Sequence, residues 1–234
     1  VENSDYEAGK IAIDSFGNTY ITGWKMKNHS IIHAVYWFNG NRKNLTSTLD
    51  GETTDVFIGS ESKTASNVYF SGSHGSYNGG VLATYWRRTL AAKHNQTKVT
   101  KVKTAGLPKG WAWTSRSTSI YVQGQTVYTA GTVNVINAGD VPVYWKNKVQ
   151  HELPVDFDFE TCDYCKAEPT DISVYENKVI VAGDYYDDTK KVDNYFSHGE
   201  RKAVYWMDKK RHILCDDCGA AYVLAILNMD YEKP

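Results

Sequence analysis

Short runs of alternating apolar and polar residues follow one another along the chain, broken by clusters of Gly, Asn, Asp and Lys. Period-two alternation places every second side chain on one face of an extended strand. The runs "KIAIDSFG", "NTYITGW" and "HAVYWFNG" are the first three, and the same succession returns further on. Short polar or glycine-containing links between runs have the chemistry of hairpin turns. The pattern predicts antiparallel strands joined to their neighbours in sequence.

Alignment on a Tyr-Trp pair exposes a repeat. "HAVYWFNGNRKNL", "LATYWRRTL", "VPVYWKNKVQHEL" and "KAVYWMDKKRHIL" place tryptophans at Trp37, Trp86, Trp145 and Trp206. Upstream of each lies an element with a glycine near its end: Gly23, Gly72, Gly131 and Gly183. The Gly-to-Trp separations are 14, 14, 14 and 23 residues. Upstream again come "KIAIDSFG", "TDVFIGSES", "TSIYVQGQ" and "TDISVYENK". After Tyr-Trp, "FNGNR", "KNK" and "DKKR" predict tight turns into a fourth short strand. Each unit is therefore expected to be a four-stranded antiparallel sheet, and such sheets repeated radially make a β-propeller. The reading is all-β: one domain over 1–234, with complete repeats at 10–52, 53–116, 117–169 and 170–218. A partial fifth is read at 219–229, where "GAAYVLAILNMD" matches a first strand. Tyr and Trp in the third strand would fill the space between sheets, and the glycines mark close approach or bulges.

Composition narrows the class. A net charge of −1 removes the basic excess of a nucleic-acid binder. No apolar run approaches the ~20 residues that span a bilayer as a helix. The chain opens on Val1, which leads us to expect that a leading segment has been removed, and N-x-S/T triplets at Asn28, Asn44 and Asn95 point to secretion.

The pattern S-I-Y-V-x-G-x-x-V-Y-x-A-G followed by A-V-Y-W-x-N-G resembles tandem propeller-type repeats of bacterial surface and secreted proteins. "TSIYVQGQTVYTAGTVN" with "VPVYWKNKVQHEL" is the nearest copy, and the resemblance covers most of residues 10–226. The second repeat departs from it, with "RRTLAAKHNQTKVTKV" in place of the N-G turn. The resemblance implies a fold and an exposed location; it implies no reaction.

Candidate chemistry lies in the irregular connections, which on a rigid scaffold usually carry function. Cys162 with Cys165 and Cys215 with Cys218 form two C-x-x-C pairs in equivalent inter-repeat positions. Brought together they would make an all-cysteine zinc site; in an oxidising compartment, the one the resemblance implies, they would make disulfides. Asp156, Asp158 and Glu160 alternate in "DFDFE", and with Asp184, Asp187 and Asp188 they are candidate calcium ligands or a solvated acidic rim. Trp111 and Trp113 stand outside the Tyr-Trp register, and indoles there could stack on sugars or anchor a protein, or equally plug a central channel or cap a sheet. Tyr185, Tyr186 and His198 complete the candidate ligand-binding set. His151 and His212 occupy matching fourth-strand positions, which predicts a shared packing role.

No nucleophile elbow, H-E-x-x-H, P-loop or dinucleotide fingerprint occurs. The expectation is a secreted or surface-exposed module binding a glycan or protein ligand through the loops of the third and fourth repeats. The alternatives are a metal-assisted hydrolase or lyase on that face, and a structural module of a longer repeat protein.

Overall fold

The structure is a computed structural model and describes residues 5–27, 31–46, 51–62, 65–76, 80–91, 112–135, 139–157, 166–187 and 200–215. The described residues contain strands and no helix. They form four antiparallel sheets, each strand beside its neighbour in sequence. Sheet one comprises β1 (Tyr6–Ile13), β2 (Thr19–Lys27), β3 (Ile31–Phe38) and β4 (Asn41–Asn44). Sheet two has β5 (Gly51–Ser62), β6 (Ala65–Ser76) and β7 (Gly80–Ala91), and residues 92–111 after it lie outside the described residues. Sheet three has β8 (Ala112–Gln123), β9 (Thr126–Val135), β10 (Gly139–Lys146) and β11 (Val149–Glu152). Sheet four has β12 (Lys166–Tyr175), β13 (Lys178–Asp187), β14 (Glu200–Met207) and β15 (Lys210–Cys215).

The repeated residues land where the repeat placed them. Trp37, Trp86, Trp145 and Trp206 are all in third strands, and Gly23, Gly72, Gly131 and Gly183 are all in second strands. Each glycine faces a bulge in the first strand, at 8/11, 53/55, 117/119 and 169/171. The extra residue pushes a backbone carbonyl toward the second strand. A Cβ on these glycines would collide with the carbonyl oxygens of Glu7, Glu52, Arg116 and Glu168 respectively, so only glycine fits. The bulge also explains why β8 and β12 begin at 112 and 166, ahead of the expected boundaries: alternation breaks there and restarts one residue out of phase.

Alternation gives every sheet a Trp face and a Tyr face, and one stacking rule joins all four sheets. The Tyr face of sheet one (Tyr20, Ala34, Tyr36) buries against the Trp face of sheet two (Val56, Val68, Phe70, Trp86). Sheet two's Tyr69, Ala83 and Tyr85 pack on sheet three's Ile120, Val122, Val127, Val143 and Trp145. Tyr128 and Ala130 of sheet three meet Ile172, Val181, Val204 and Trp206 of sheet four. First strands are neighbours in series, β1 beside β5, β5 beside β8 and β8 beside β12.

Opposite the longer connections, the strands close in two-residue turns. Asn39-Gly40, Asn147-Lys148, Glu176-Asn177 and Asp208-Lys209 have φ between 47° and 77° at both positions, the type I′ geometry that matches strand twist. Asn39 and Asn147 strengthen theirs by accepting the Thr19 and Val127 N–H groups at 2.8 and 2.9 Å.

Candidate functional site

Two groups of polar side chains stand out, one on the inner strands and one at the loop end of sheet four. The first follows from the bulges. Gly9, Thr54, Thr118 and Thr170 are the extra residues, and two of the threonines bridge sheets. Thr54 Oγ1 donates to Ser117 O at 2.7 Å, and Thr118 Oγ1 donates to Pro169 O at 2.6 Å. The next position along each inner strand holds Lys10, Asp55, Ser119 and Asp171. Ser119 Oγ lies 2.7 Å from Asp55 Oδ2 and 2.7 Å from Asp171 Oδ1, linking three sheets through one hydroxyl.

A serine hydroxyl carries a single proton, so it donates to one carboxyl and must accept from the other. Asp55, one of the two, is 8% exposed. Burial pushes its carboxyl above the ordinary range, against hydrogen bonds from Ser119 and Ile120 and the charge of Lys10. Ser119 is 1% exposed and bonded on both sides, so this serine–carboxyl pairing is a proton-sharing staple and not a nucleophile. Three residues toward the loop end, Arg116 pairs with Glu52 at 2.6 Å, again between sheets.

The second group lies where β13 and β14 approach the connection 188–199. Asp184, Tyr186 and Arg201 share the Tyr face of sheet four, Arg201 directly opposite Tyr186. Asp184 Oδ2 pairs with Arg201, while Asp184 Oδ1 is buried with no hydrogen-bond partner among the described residues. A buried acceptor without a donor costs about 1–3 kcal/mol, a deficit that a ligand hydroxyl or N–H would remove. Tyr186 beside it is half-buried.

The remaining expected residues fall as follows. Tyr185, expected to bind ligand, is instead core: it is 2% exposed, packs on Phe157 with ring centroids 5.1 Å apart, and carries the Arg211 guanidinium 3.8 Å above its ring. Alternation along β13 puts it on the face of Val181 and Gly183, opposite Tyr186. Asp156, expected as a metal ligand, is exposed and paired with Arg211, and its N–H donates to Tyr185 Oη at 3.3 Å. With Trp206 Nε1 donating to Pro154 O at 2.9 Å, these contacts fasten the connection 153–157 onto sheet four. Trp113 lies at the loop end of β8. Cys215 ends β15 and is not a free thiol. Trp111, Asp158, Glu160, Cys162, Cys165, His198 and Cys218 lie outside the described residues.

Among the described residues no group of three or more His, Cys, Asp or Glu is arranged to hold a metal. No helix there is long and apolar enough to cross a membrane. A recess between sheets two and three, bordered by Tyr85, Val127, Trp145 and Lys148, has a volume of about 10 Å³, room for about one water. His151 stacks on Tyr144 at 4.6 Å and His212 on Tyr205 at 4.5 Å, the same packing in both sheets.

The inner staple was overlooked in the sequence, although the column Lys10, Asp55, Ser119, Asp171 is one residue ahead of each apolar alternation. Compared with protein-family models and with curated proteins, the sequence matches none.

Proposed function

We propose that the four sheets are blades of a β-propeller and that the protein is a secreted or surface-exposed binding module. Its ligand site lies at the loop end of sheets three and four. The stacking of Trp on Tyr faces around adjacent inner strands supports the propeller reading, as does the resemblance to bacterial surface repeats. The observation that carries the binding site is the buried Oδ1 of Asp184, without a partner among the described residues, beside Arg201 and Tyr186. A fixed carboxylate acceptor, a guanidinium donor and an aromatic ring suit the hydroxyls and apolar faces of a glycan. Cys215, which is not free, fits a disulfide staple at the edge of this site. A zinc site shared by the two C-x-x-C pairs is the alternative that intact mass with thiol alkylation would distinguish.

A glycan array followed by calorimetry tests the site. The natural chain should bind a defined glycan class, Asp184→Asn should weaken binding about tenfold, and Trp111→Ala with Trp113→Ala should weaken it further. Binding of no glycan, or equal binding by Asp184→Asn, would overturn the assignment.

A further inference from the structure

The stacking rule leaves two faces over. Each of the three joints sets the Trp face of one sheet on the Tyr face of the preceding one, so sheet one's Trp face and sheet four's Tyr face have no partner sheet among the described residues. The consequence is measurable at equivalent positions of the inner strands. Val56, Ile120 and Ile172 are 8%, 3% and 3% exposed on the Trp faces of sheets two to four, whereas Ile11 of sheet one is 61% exposed. Ile13, two residues on, is 62% exposed, whereas Val122 and Val174 at its position are buried. Trp37 and Ile21 are half-buried, where Trp86, Trp145 and Trp206 are covered. Sheet four shows the converse in its second strand: Ile180 and Ala182 are half-buried, while Tyr20, Tyr69, Tyr128 and Ala130 at those positions of the other Tyr faces are buried; Tyr205, like Tyr85 and Tyr144, is half-buried.

These two faces are the two halves of one joint. We propose that the Trp37 face of one copy of this chain docks on the Tyr205 face of a second copy, continuing across the molecular boundary the contact already made three times within it. The occupant is argued from that continuity: the open Trp face offers Ile11, Ile13, Ile21 and Trp37 where the covered ones offer Val, Ile, Phe or Thr and Trp. The open Tyr face likewise offers a tyrosine and an alanine in the arrangement that accepts Trp86, Trp145 and Trp206 elsewhere. The contact is heterologous, head to tail, so it either closes into a ring of copies or propagates into a filament. It uses Ile180, Ala182 and Tyr205 of the Tyr face that also carries Asp184 two residues further along β13, and it does not rest on the binding site proposed above.

Light scattering and sedimentation of the 234-residue chain across a micromolar concentration series test it. The mass should rise with concentration from one copy toward integer multiples. Ile11→Asp with Ile13→Asp should leave a monomer, and so should Ala182→Arg at the other end. Ile11→Ser is the milder variant should the double change unfold the chain, and far-ultraviolet circular dichroism confirms that each variant is folded. The decisive result is complementation: the Ile11/Ile13 variant mixed with the Ala182 variant should form a one-to-one dimer and nothing larger, because each keeps one intact face. A chain that is monomeric throughout, association that survives variants at both ends, or a mixture that stays monomeric would each overturn the proposal.

Discussion

The inner and outer strands of these sheets solve opposite problems. The inner strands β1, β5, β8 and β12 are bulged and carry polar side chains that are used up in contacts between sheets, such as Thr54 to Ser117, Thr118 to Pro169 and Ser119 to two carboxyls. The described outer strands β4, β11 and β15 are four to six residues long and largely exposed, and they are held by a tight turn and, in two sheets, a His-Tyr stack. Short, polar outer strands keep a sheet edge from recruiting other chains. The difference teaches that polar residues here mark the most constrained part of the molecule when they sit beside a bulge, and the least constrained when they sit at the rim.

Substitutions can sharpen that contrast. Gly131→Ala should have the largest effect, about 3 kcal/mol lost in urea unfolding, because the new Cβ meets backbone that cannot yield. Thr118→Val keeps the shape but leaves the Pro169 carbonyl without its donor, and should cost about 1–2 kcal/mol. Asp55 gives a pH signature. Its folded-state carboxyl is raised, so its stabilising contribution is complete below the ordinary aspartate range and declines as pH rises through the raised value. Thermal melts from pH 4 to 8 should show that decline, and Asp55→Asn should flatten it; an unchanged profile would contradict proton sharing at Ser119. At the outer rim Lys148→Gly should do least and in the other direction, adding about 0.5 kcal/mol by relieving a left-handed lysine at φ 77°. A loss there exceeding that of Thr118→Val would reverse the comparison.

Much of the framework was legible because its residues are local and periodic. Trp37, Trp86, Trp145 and Trp206, the paired glycines and the turns at 39–40, 147–148 and 208–209 are each fixed by alternation and spacing within a single repeat. The inner staple was not, because Asp55, Ser119 and Asp171 meet only through the stacking of three sheets, and the bulge beside them shifts the alternation by one. Tyr185 was grouped with its neighbour Tyr186 as a ligand-binding candidate, whereas counting by twos from Val181 places it in the core. The isolated acceptor of Asp184 depends on which donors approach it in space, and no spacing rule encodes that. His151 and His212, by contrast, were paired correctly from position alone.

The one-sided joints also set how the molecule would respond to force. Among the described residues, sheets two and three are gripped on both faces, sheets one and four on one face each. With coupling confined to nearest neighbours, separation is a sequence of similar local events. A pull applied at either end of the chain would meet a series of comparable rips, one per sheet, with the outermost joint yielding first. Separation of the described sheets would proceed stepwise, with re-zipping from whatever joint survives.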